Sequence, residues 1–80
     1  MSERLKYMGR RAELELEKKS LRIKISGLIH NLRDDLDPLK DIPTLKTADI
    51  TTYALDLAEA KDRFMRVLED LDRIREIIGQ

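Results

Sequence analysis

The sequence predicts an all-α fold, an antiparallel two-helix coiled-coil hairpin that dimerises into a four-helix bundle. Three observations carry that expectation: an apolar seam at three- and four-residue spacing in the second half, a similar seam in the first half, and a proline-containing segment between them. Composition agrees. Charged residues make up 40% of the 80-residue chain and hydrophobic ones 41%, with one Phe, two Tyr and no Trp, a balance that suits exposed helices better than a β-sandwich or a deep pocket. The chain is read as one domain, 1–80, near the lower size limit for a single apolar core.

Helix 1 is expected over residues 2–36, because Pro38 disfavours helix at the residue before it. Its main seam is Tyr7, Leu14, Leu21, Ile25, Leu28 and Leu32, widened by Met8, Ile29 and Leu36. Arg11 and Lys18 occupy seam positions, so the amino-terminal half is expected to commit less to the hairpin than the half near the loop. A second stripe runs along another face: Leu5, Gly9, Ala12, Leu16, Ser20, Ile23 and Gly27. Each internal glycine costs about 1 kcal/mol relative to alanine. Either another helix approaches closely at Gly9 and Gly27, or a small domain simply tolerates them.

Residues 37–48, DPLKDIPTLKTA, form the connection, with Leu39, Ile42 and Leu45 three apart. Such spacing predicts a loop folded over the end of the bundle; a protein-binding loop carrying the same three residues is the alternative.

Helix 2 is expected over 49–78, with the seam Ile50, Tyr53, Leu57, Ala60, Phe64, Val67, Leu71, Ile74 and Ile78. Thr47 or Asp49 can cap its start and Gly79 its end. Glu59–Arg63, Asp62–Arg66 and Glu69–Arg73 are spaced as four-residue pairs on outer faces. Antiparallel pairing then sets Leu32 near Tyr53, Leu28 near Leu57, Leu21 near Phe64 and Leu14 near Leu71, in a rod of about 45–50 Å.

A two-helix seam buries its residues only partly, so the hairpin is expected to self-associate, as a dimer, through Leu5, Gly9, Ala12, Leu16, Ile23 and Gly27 with Met65 and Leu68 of helix 2.

Little in the sequence points to chemistry. There is no cysteine, which excludes disulfides and thiolate metal sites. His30 is the single histidine, and with Asp34, Asp35, Asp37 and Asp41 it matches neither zinc nor calcium ligand spacing; pairing with Asp34 is the simpler expectation. Ser2, Ser20 and Ser26 have no organised base, and no glycine-rich phosphate loop follows a strand. Catalytic, cofactor and metal sites are therefore all expected to be absent. Arg11 and Lys18 on the seam resemble the cations that dimeric helical chorismate mutases use for a dianionic substrate. The companion residues lack a matching spacing, and side chains snorkelling from the bundle edge account for both.

Residues 1–24 carry eight Lys/Arg against four Glu, whereas 25–49 and 50–80 each sum to −2. The basic residues Arg4, Lys6, Arg10, Arg11, Lys18, Lys19, Arg22 and Lys24 spread around the helix, with Glu13, Glu15 and Glu17 among them. A nucleic-acid-associated helical protein using this segment is thus the second reading, behind a protein-interaction module. No apolar run marks a signal peptide or a membrane span, and a cytoplasmic setting is the expectation.

A long charged helix, a DPLKDIP loop and a closing FMRVLEDLDRIREIIG seam resemble small helical-hairpin proteins encoded in prophages. Length and helix–loop–helix plan are also similar to secretion-needle subunits, whose characteristic turn and polar helices are not matched. The first resemblance implies a hairpin and no particular functional residue. The expected role is a non-enzymatic adaptor, assembly factor or inhibitor acting on another protein.

Overall fold

Ser2 begins the first helix as a side-chain cap: its Oγ accepts a hydrogen bond from the Arg4 backbone N–H at 3.2 Å, satisfying one of the free donors of the first turn. From there α1 runs over Glu3–Asp35. It closes at Leu36, whose N–H reaches the Leu32 carbonyl at 2.8 Å, two residues before Pro38. The computed structural model describes residues 2–79. A 3₁₀ turn, Ile42–Thr44, interrupts the connection, and α2 spans Thr47–Ile77. The two helices pack antiparallel as a hairpin, 61 Å long and 18 by 14 Å across. Helices of this length account for about 46–50 Å. The connection adds the remainder, which is why the molecule exceeds the rod expected from the helices alone.

The start of α2 differs from expectation. The helix begins at Thr47, two residues earlier than 49, and shortens the connection to 36–46. Lys46 is its N-cap residue and offers no side-chain hydrogen bond; Thr47 and Asp49 lie inside the first turn and cap nothing. Asp49 still suits that turn, where a carboxylate meets the positive end of the helix dipole. At the other end Ile78 bonds back to the Ile74 carbonyl, and Gly79 adopts φ 76°, the left-handed conformation that glycine reaches without a Cβ clash.

All nine α2 seam residues are buried or half-buried. Leu14 of α1 joins Val67, Leu71 and Ile74 in the core cluster, with Tyr7, Leu21 and Ile78 packed against it. Leu28 and Ala60 are buried farther toward the loop. The Leu14–Leu71 grouping, together with Arg22 lying over the Phe64 ring, is what the expected register requires. The distribution of burial is not what Arg11 and Lys18 suggested, because the best-enclosed side chains, Leu14 and Val67, sit at the end carrying the termini. Long basic side chains tolerate a seam position by directing their charged ends outward; Lys18 Nζ meets Glu15 at 3.4 Å. Leu14 is then enclosed by three branched residues of α2. Met8, Ile29 and Leu36 do not widen the seam as expected and are exposed. A helix buries a narrow stripe against a single neighbour, and these three fall beside it.

Candidate functional site

Helix geometry divides the surface into two lateral edges and two outer faces. At about 100° per residue, Glu17 lies about 60° to one side of Leu14 and Arg22 about 80° to the other. The first edge is closed by charge. Arg63 reaches across from α2 and donates from Nε and Nη2 to the two carboxylate oxygens of Glu17, at 2.5 and 2.7 Å. This bidentate fork holds the Glu17 carboxyl below the ordinary carboxylate range, chiefly through the hydrogen bond, with burial opposing it and the Arg63 guanidinium charge adding a lesser lowering. The same contact raises the Arg63 guanidinium.

The sequence placed Arg63 with Glu59 on an outer face. The structure engages it with Glu17 instead, because Arg63 stands one residue before Phe64 of the seam and its long stem spans the edge. Arg73 likewise pairs with Asp70 at 3.4 Å.

On the opposite edge, Arg22, Ile25, Ser26, Ile29 and Phe64 line an open groove of about 390 Å³, with the Arg22 guanidinium carbon 5.3 Å from the Phe64 ring centroid. A second groove, about 470 Å³, is formed by Ala12, Glu15, Leu16, Lys18, Lys19 and Arg22. Neither groove holds a buried polar side chain, and among the described residues none is buried anywhere. His30 meets Asp34 at 3.5 Å, as its spacing suggested, and both side chains are exposed. Among the described residues no three His, Asp or Glu side chains converge as a metal site, and no helix is long and apolar enough to cross a membrane.

The second α1 stripe lies on the outer face. Leu16 and Ile23 fall about 160° and 180° from Leu14, so they point away from α2. Leu5, Leu16 and Ile23 are 61%, 69% and 73% exposed, and Gly9, Ala12, Ser20 and Gly27 are exposed between them. A Cβ built on Gly9 or Gly27 would meet nothing within 4 Å, so no contact inside the chain requires either glycine. The α2 residues expected to join this surface do not lie beside it. Met65 is about 160° from Val67 and faces outward from α2, in the direction opposite to the α1 stripe, while half-buried Leu68 lies at an edge.

The loop departs further from expectation. Leu39 and Ile42 are 90% and 82% exposed and do not cover the end of the hairpin; Leu45 alone is half-buried. Local hydrogen bonds set the direction of this segment. Asp37 Oδ1 accepts from the Leu39 N–H at 2.9 Å, the Asp37 carbonyl accepts from Lys40, and the Asp41 carbonyl accepts from both the Thr44 N–H and its hydroxyl. Two consecutive tight turns satisfy the backbone and leave Leu39 and Ile42 outside. The apolar three-residue spacing held no information about the turns' orientation.

No protein-family model, curated protein or solved structure matches the chain. The likeness to prophage hairpin proteins rests on the sequence pattern.

Proposed function

We propose that the chain is a non-enzymatic protein–protein interaction module that associates with itself through the outer face of α1 and presents Leu39 and Ile42 at the loop tip to another protein. The exposed row of Leu5, Leu16 and Ile23 on a regular helix carries this reading. Large apolar side chains held at fixed helical spacing, here about three and two turns apart, offer anchors of the kind by which helices dock on one another. Basic residues of the first 24 are partly occupied within the chain: Arg10 with Glu13, Lys18 with Glu15, and Arg22 over Phe64. That favours the protein reading over a phosphate-binding one. A partner on the outer face of α1 extends the hairpin into a row of helices, whereas the closed four-helix bundle expected from sequence would use a lateral edge.

The test is Ile23→Glu, measured by sedimentation and circular dichroism. Dimeric wild type and a monomeric, equally helical variant are the expected pair of results. Unchanged mass in the variant counts against this face.

A further inference from the structure

The outer face of α1 is complementary to itself when reversed. Its apolar and small residues step by 4, 3, 4, 4, 3 and 4 positions from Leu5 to Gly27, a spacing that reads the same from either end about Leu16. Laid antiparallel on a second copy with Leu16 opposite Leu16, the face sets Leu5 against Gly27 and Gly9 against Ile23. A large side chain meets a missing one at both places, and Ala12 meets Ser20 between them. Glycines that serve no contact within the chain acquire a steric role there: each admits a bulky residue from the opposing helix.

We propose that two copies associate through the outer faces of α1, antiparallel about a two-fold axis at Leu16, making a four-helix row in the order α2, α1, α1, α2. Both faces of α1 are then covered, one by α2 and one by its twin. This inference rests on the self-association reading above and specifies its occupant, direction and register.

The absence of native cysteine makes cross-linking clean. Leu16→Cys and Leu5→Cys variants of the full chain are each treated with a short bis-maleimide linker, beside sedimentation of the wild type. Leu16→Cys should form covalent dimer at least tenfold faster than Leu5→Cys, whose two thiols would lie about 33 Å apart across the axis. An equimolar mixture of Leu5→Cys and Gly27→Cys should cross-link efficiently between the two variants. Gly27→Leu should be monomeric at undiminished helicity. Equal self-linking of Leu5→Cys and Leu16→Cys would indicate a parallel pair, and a dimeric wild type with no link at either position would indicate another face; each overturns this arrangement while leaving self-association standing. A wild type that is monomeric at all concentrations overturns both.

Discussion

The two helices use their apolar residues differently. In α2 a single seam takes up four buried residues and five half-buried ones, and the large apolar side chains left outside, Leu55, Met65 and Ile77, stand at least ten residues apart among charged and small ones rather than in a row. In α1 the apolar residues divide between a seam facing α2, with Leu14 and Leu28 buried, and an outer stripe that stays in solvent. Leu14 and Leu16 show the contrast within one turn: the first is 0% exposed, and the second projects away from α2. A helix whose pattern has one solution is finished by one neighbour. A helix carrying two stripes is finished only by two, and this is why α1 and not α2 carries the proposed interface.

The largest expected effect comes from breaking the finished side. Leu14→Ala removes a fully enclosed side chain from the Val67, Leu71 and Ile74 cluster and should lower stability by about 2–5 kcal/mol, read from the denaturant midpoint. Leu16→Ala, measured at a dilution where the chain is monomeric, should change it by no more than about 0.5 kcal/mol. Equal losses at the two positions would remove the distinction between inner and outer stripes.

The helix starts offer a smaller contrast. Ser2 caps α1 with its side chain, whereas Lys46 contributes none to α2. Lys46→Asp should stabilise the hairpin by about 0.5–1 kcal/mol, visible as a raised melting temperature, by supplying the missing acceptor. A lowered melting temperature would show that the backbone at position 46 does not admit a side-chain cap.

The smallest effect concerns the charged edge. Glu17 has its pKa depressed in the folded chain, so its pairing with Arg63 contributes fully above the ordinary glutamate range and fades as pH falls through the lower folded value. Wild type should exceed Glu17→Gln in stability at pH 7, and the gap should close on acidification. Both side chains are partly solvent-exposed and the gap is correspondingly modest. A gap that widens in acid would contradict the assigned pairing.

Much of this molecule was legible in the order of its residues. The seams set two long helices, Pro38 sets where the first one stops, and Gly79 sets how the second one ends, since each effect depends on neighbours within a turn or two. The outer stripe was equally visible as a period on α1. What rotation and distance control was not. Glu17 and Arg63 are 46 residues apart, and their meeting depends on how α1 and α2 are turned about their axes. Met65 looked available to the same surface as Leu16 until packing turned the two outward in opposite directions. Leu39 and Ile42 carry apolar spacing fit for a cap, yet two hydrogen-bonded turns of their own backbone aim them at solvent. Periodicity along a chain specifies which residues share a face; only the packed pair decides which way that face looks.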